Sequence, residues 1–406
     1  MASVFSGVAL AQAIPVLGSL LIARIYAPDE FGHFSAWLGA SAILAVLLTL
    51  RLEAAFGLET DGEERQGLVA STVLLVVSFS TALFLLALAL TIYEPTLLSG
   101  LSTPLILLFP VMGMMTALSQ VWQSWAANDG AIGKLSSIRI VQAFSVTVLQ
   151  IVAGLLWPVG AALAGAQVLG TAIALCFALW IMPVSLALLN SVKRRGHFQS
   201  VWSRYKKFPT YALPADLMNT AGAQLPILVI TSRFGLEVAG YYALTIRVMG
   251  APIGLLGAAV RDVFKRSANE EYRAHGTCRH IYVKTFLVLA VFSLLMVVGT
   301  VFLAEPIFTT VFGETWKMSG VMAIWLVPMF AMRFIASPLS YTFYVAQKQN
   351  VDLMWQIGLL AMTITTLVLP NGYQSMLIYY SLGYAAMYVV YVYLSYRAAT
   401  PKAIIT

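Results

Sequence analysis

Apolar residues in this chain come in long unbroken runs, and polar residues collect in short stretches between them. A membrane-spanning helix needs about 20 consecutive apolar residues. The alternating segments of about ten residues that mark a transmembrane β-barrel do not occur. The pattern therefore predicts an all-α polytopic membrane protein with about 12 transmembrane helices. The runs cover residues 3–25, 34–56, 67–92, 103–126, 138–157, 160–190, 209–232, 236–260, 281–303, 318–343, 353–370 and 374–396. Several contain an internal proline (Pro15, Pro110, Pro226, Pro252 and Pro328), which bundled membrane helices tolerate because neighbours re-satisfy the freed carbonyls.

Composition agrees with this reading. Of 406 residues, 60% are hydrophobic and 10% charged, with a mean hydropathy of +0.85, which leaves no room for a sizeable water-soluble domain. The net charge of +7 would suggest nucleic acid as a partner in a soluble chain. Here it follows from retention of basic residues on the cytoplasmic side of membrane helices. With the N-terminus inside, all but five of the 24 basic residues fall at or near the cytoplasmic face. Arg24, Arg233 and Lys317 lie near the outer face, and Arg247 and Arg333 lie within spans. Both termini are expected to be cytoplasmic. No Lys or Arg precedes the first apolar run, which argues against a cleaved signal peptide. The two cysteines, Cys176 and Cys278, have no evident mates.

A repeat underlies the spans. ARIYAPDEFGHFSA at 23–36 resembles SRFGLEVAGYYA at 232–243, aligning Arg24 with Arg233 and Gly32 with Gly240. Glu94-Pro95 aligns with Glu305-Pro306 at nearly the same offset. Six spans separate the copies, so the halves share one orientation, as a parallel pseudo-two-fold repeat about the membrane normal requires. This predicts an N-terminal six-helix lobe (1–190), a basic cytoplasmic linker (191–208) and a C-terminal six-helix lobe (209–406). The linker cations Lys193, Arg194, Arg195, Arg204, Lys206 and Lys207 serve topology, with capture of anionic headgroups as the alternative.

No catalytic constellation stands out, and no cofactor is expected. His275, Cys278 and His280 lack a fourth metal ligand and read as part of a polar loop. A Walker-type phosphate loop is absent. The informative residues are charges within spans, because each costs several kcal/mol to insert (about 3 kcal/mol at a helix centre) and points to burial or function. At about 1.5 Å per residue, Asp216 and Arg333 lie about 12 and 16 Å from the inner face, close enough in depth to pair. Arg247 lies at about 20 Å with no acid at its level. The two arginines either line a cavity and attract an anionic group such as phosphate, or pair with carbonyls or Asp216 and lock the bundle. Arg51 and Glu53, at the inner end of span two, read as snorkelling rather than paired. The amides Gln12, Gln120, Gln123, Gln142, Gln150, Asn219 and Gln224 suggest a wet interior suited to carbohydrate, with Trp122 and Trp125 flanking Gln123. Interhelical hydrogen bonding is the alternative for any one of them. Trp202, Tyr205, Tyr379, Tyr380, Tyr391 and Tyr393 read as interfacial anchors.

LLIARIYAPDEFGHFSAW at 20–37, QLPILVITSRFGLEVAGYYALTIRVMGAPIGLLG at 224–257 and FGETW at 312–316 resemble the bacterial polysaccharide-unit flippases. These are the O-antigen and exopolysaccharide transporters of the multidrug/oligosaccharidyl-lipid/polysaccharide exporter superfamily. The resemblance implies two six-helix lobes around a central cavity, alternating access, and location in the bacterial cytoplasmic (inner) membrane. It implies as cargo an undecaprenyl-pyrophosphate-linked oligosaccharide repeat unit, with membrane lipids and other polysaccharide-assembly membrane proteins as partners and no nucleic acid. Arg247 corresponds in position to a second-lobe cavity arginine. The expected substrate-binding set is Arg247, Arg333, Asp216, Gln224 and Gln123, with Asp216 a candidate for proton coupling. The chain departs from the family in lacking a basic stretch before its first helix. A cation or drug antiporter of the same superfamily would favour acidic cavity residues, and a membrane polymerase of the pathway would carry long external loops; neither fits this sequence as well.

Overall fold

The computed structural model describes residues 2–59, 62–93, 102–184 and 201–400, and among them there is no β-strand. Twelve long helices follow in order among the described residues: α1 (Ala2–Ile25), α2 (Pro28–Thr49), α3 (Gly62–Tyr93), α4 (Thr103–Asn128), α5 (Ile132–Leu156), α6 (Gly160–Ile181), α7 (Leu213–Phe234), α8 (Leu236–His275), α9 (Arg279–Ile307), α10 (Lys317–Leu339), α11 (Gln349–Val368) and α12 (Tyr373–Ala399). Nine are long and apolar enough to cross a membrane, which makes this a multi-pass membrane protein. Neither α7, which carries Asp216, Asn219 and Gln224, nor α8, whose second half is strongly charged, is among the nine.

Helix limits differ from the hydropathy runs where local chemistry overrides them. Pro28 starts α2 six residues before its apolar run, because proline fixes a helical φ and has no N–H to leave unpaired. Asp29 and Glu30 in the first turn complement the helix dipole. Beyond Thr49, Leu50 and Arg51 both take left-handed backbone (φ 49° and 59°), a conformation that side chains seldom adopt consecutively. A 3-10 segment, Leu52–Leu58, then reverses the chain. Helix α6 ends at Ile181, short of the expected 190, and the linker residues 191–200 lie outside the described residues, as does Glu94-Pro95. Helix α8 continues fifteen residues past its apolar run to His275.

The chain forms two compact units, Met1–Gly240 and Tyr241–Thr406. Within the first unit α7 packs along α2. In that unit α5 packs against α1 and α6, and α4 against α2, α3 and α6. Small residues permit the close approaches: a Cβ on Gly170 would lie 2.6 Å from the Val146 backbone, and one on Gly154 would lie 2.6 Å from the Tyr26 ring. In the second unit α10 is the most buried helix and packs against α9 and α12. By contrast, α9 exposes Leu287, Val291, Phe292, Leu294, Leu295 and Phe302, as a lipid-facing helix does.

Candidate functional site

Two groups of polar and charged residues stand out, one in each unit. The first follows the seam between α2 and α7. Near one end, Gly32 and Gly240 each meet the other's segment: a Cβ on Gly32 would overlap the Leu236 carbonyl, and one on Gly240 would overlap that of Pro28. The repeat therefore preserves a glycine at both positions where backbones cross. Midway, a Cβ on Gly39 would lie 2.8 Å from Gln224 Oε1, so this glycine makes room for the amide.

At the far end of the seam, Arg51 Nη1 donates to Glu53 Oε1 at 2.9 Å, while its Nε faces Asp216 Oδ2. The Glu53 side chain is 4% exposed, those of Arg51 and Asp216 about a third. The second Glu53 oxygen is buried and has no hydrogen-bond partner among the described residues. Ser124 Oγ of α4 donates to the Glu53 carbonyl at 2.8 Å, which holds the turn in place. Two expectations are corrected here. Asp216 pairs with Arg51 rather than Arg333, because α7 runs along α2 and brings the carboxylate to the end of that helix. Arg51 and Glu53 pair rather than snorkel, because the 3-10 turn buries Glu53 beside the guanidinium.

The amide layer of the first unit links helices. Gln123 Oε1 accepts from Arg139 Nε at 2.9 Å, and its Nε2 donates to Gln142 Oε1 at 3.3 Å. Gln150 Nε2 donates to Gln167 Oε1 at 3.0 Å. Trp122 and Trp125 are core residues rather than a cavity wall; Trp122 Nε1 donates to the Met182 carbonyl at 3.2 Å. A cavity of about 690 Å³ lies between α2, α3, α4 and α7, with Trp37, Leu86, Phe109 and Leu228 in its walls. Its lining is almost entirely apolar and offers little to a hydrated group.

The second group is different. Arg247 lies 11 residues into α8 and Arg333 lies 16 residues into α10, about 16 and 24 Å from the helix starts. Neither has an ion pair or hydrogen bond among the described residues. Arg247 is half-buried and Arg333 is exposed. Within electrostatic reach of Arg333 are Tyr242, Tyr380, Tyr384 and Tyr388. The last three recur every fourth residue on α12, with ring centroids 5.5 and 5.1 Å apart. Trp355 extends the row, 5.0 Å from the Tyr388 ring and 4.2 Å from that of Tyr391. The Tyr391 hydroxyl donates to Asp352 Oδ1 at 2.7 Å.

Hydropathy reading missed this row. Tyr380 and Tyr391 are buried rather than interfacial, and so is Tyr205, whereas Tyr379, Tyr393 and Trp202 are exposed as anchors should be. The signal lay in the four-residue spacing of Tyr380, Tyr384 and Tyr388, which places three hydroxyls on one helix face. No three His, Cys, Asp or Glu side chains among the described residues gather as metal ligands.

Known proteins share the fold. The chain superposes on a structure described as the lipid II flippase MurJ in an inward closed conformation, with a TM-score of 0.72 and 13% identity, over 97% of this chain and 87% of that one. An inward-facing multidrug resistance MATE family transporter of the MOP superfamily gives a TM-score of 0.67 at 11% identity, over 95% and 93% of the two chains. In sequence, the teichuronic acid biosynthesis protein TuaB of Bacillus subtilis (strain 168) is 23% identical over 154 residues, 38% of this chain. That match spans about a third (32%) of TuaB. Residues 21–320 match the family described as "Polysaccharide biosynthesis protein", and with some three quarters of its length covered, the chain belongs to that family.

Proposed function

We propose that this protein is a flippase that carries an undecaprenyl-pyrophosphate-linked oligosaccharide repeat unit across the bacterial cytoplasmic membrane by alternating access, with both termini cytoplasmic. The observation that carries this reading is a pair of arginines, Arg247 and Arg333, without a counter-ion among the described residues. An arginine at mid-membrane depth costs about 3 kcal/mol to insert, a cost that a bound anion offsets. Guanidinium groups bind phosphate oxygens in bidentate fashion, which suits a pyrophosphate. Tyrosines combine flat apolar faces with hydroxyls, the two surfaces a sugar ring presents in alternation. Arg247 therefore holds the pyrophosphate, and Arg333 with the tyrosine row receives the glycan. The lipid tail stays in the bilayer while the polar head passes through a cationic, hydroxyl-lined space.

Asp216 and Gln224 take part at the α2–α7 seam rather than as direct ligands, and Gln123 acts through Arg139. The nature of the charges argues against the antiporter reading, since a cation substrate would be repelled by two unmatched arginines. Mass spectrometry of polyprenyl-pyrophosphate glycans from cells lacking the gene tests the proposal. A lipid-linked repeat unit should accumulate, be cleared by the wild type, and persist with Arg247→Ala. Absence of accumulation with unchanged surface polysaccharide refutes it, and drug efflux would then be measured.

A further inference from the structure

A separate cluster of basic side chains lies where α8 turns into α9. Gly276, at φ 67°, reverses the chain so that Glu271 in the last turns of α8 reaches the start of α9. Its two carboxylate oxygens accept from the backbone N–H groups of His280 (3.1 Å) and Ile281 (2.9 Å). The one acid at this site is thereby committed to the orphan donors of the helix terminus. Arg279, His280 and Lys284 are left with no ion pair among the described residues. The Arg279 guanidinium is steadied over the Tyr396 ring, 5.6 Å from its centroid.

These three side chains, with Val283 and Leu287, line a cavity of about 750 Å³. Directly along the same face of α9 run Val283, Leu287, Val291, Leu294 and Val298, all exposed and spaced by three or four residues. A cationic pocket thus sits at one end of a continuous apolar stripe. An anionic phospholipid has the matching layout, a phosphate joined to acyl chains that run along the membrane normal.

We infer that Arg279, His280 and Lys284 bind the headgroup phosphate of an anionic phospholipid in the adjacent leaflet, with an acyl chain lying on the Val283–Val298 face. The occupant is a structural lipid rather than transported cargo. It would tie the α8–α9 turn to the membrane surface, and so fix the end of the helix that bears Arg247.

The test is binding of phosphatidylglycerol to the purified full-length protein in neutral detergent, read by native mass spectrometry. Phosphatidylcholine and inorganic phosphate serve as comparison ligands. R279Q/K284Q should weaken phosphatidylglycerol binding about 30-fold, from about 1 kcal/mol per basic residue near a charged lipid surface. K134Q/K348Q removes the same charge from positions elsewhere and should change nothing. The single variant Lys284→Gln provides a milder probe if the double variant does not fold, with about a fivefold loss expected. Equal loss in both double variants, equal binding of phosphatidylcholine, or full competition by inorganic phosphate would each overturn the assignment.

Discussion

The molecule handles charge on and beside its long helices in two ways. At the end of the α2–α7 seam the charges are matched: Arg51 lies between Glu53 and Asp216. In the second unit Arg333 has only tyrosines within electrostatic reach, and Arg247 has no partner among the described residues. Desolvation makes either arrangement costly, but a matched cluster recovers the cost within the protein. An unmatched arginine recovers it only from water or from an anionic ligand. On the proposed function the first arrangement serves structure and the second serves binding, and substitutions should separate the two.

The largest effect is expected at Arg51. Removing it by Arg51→Ala leaves the Glu53 carboxylate, whose second oxygen already lacks a partner, buried beside no cation. Loss of one member of a buried pair costs about 3 kcal/mol. The thermal midpoint in detergent should fall by several degrees, and Glu53→Gln added to Arg51→Ala should restore most of it. Asp216→Asn alone should cost about 1 kcal/mol, because that pair is a third exposed. A double variant no more stable than Arg51→Ala would show that the seam is not held by this charge match.

Arg333→Ala should do the reverse. A charge-assisted hydrogen bond is worth about 1.5–3 kcal/mol, so clearance of the accumulated lipid-linked intermediate should slow by about 10- to 150-fold. The thermal midpoint should stay within a degree or so of wild type, since no protein partner is lost. A large drop in stability with normal clearance would place Arg333 with Arg51, among residues that hold the bundle. Tyr384→Phe sharpens the comparison, because it removes one hydroxyl within electrostatic reach of Arg333 and leaves the ring packing intact.

Much of this contrast was legible in the sequence, and what was missed has a physical pattern. The number of long helices and the repeat follow from the apolar runs and the spacing of matching residues. The identity of Asp216's partner does not, because depth fixes one coordinate and leaves open which neighbouring helix faces the carboxylate. Arg51 became that partner through a turn with two left-handed residues that no propensity indicates. The repeat flagged Gly32 and Gly240 without giving a reason, which appears only once their backbones are seen to cross. Tyr380 and Tyr391 read as interface because hydropathy weighs a tyrosine by its type rather than by the helix face it occupies.

Glu59, in the turn between α2 and α3, tests the comparison outside the membrane, where a buried carboxylate has only an incomplete match. Its side chain is buried, and Arg204 approaches at 3.2 Å from an exposed position while also reaching Glu64. Arg65 donates to the Glu59 backbone carbonyl and pairs with Asp129, so it offers the carboxylate only a distant attraction. Burial, followed by a hydrogen bond with Glu64, raises the Glu59 pKa above the ordinary carboxylate value despite both arginines. A carboxyl group whose folded-state pKa is raised binds its proton more tightly in the native state. Its contribution to stability is full below the ordinary carboxylate range and is lost as pH rises through the raised value. Wild type should therefore lose stability relative to Glu59→Gln from mildly acidic to neutral pH, read as the difference between their thermal midpoints in detergent. Arg204→Gln should enlarge that loss by removing the nearest cation. If the difference is flat across this range, the exposed Arg204 already matches the charge, and an incomplete pair at the membrane surface behaves like the complete one at the seam.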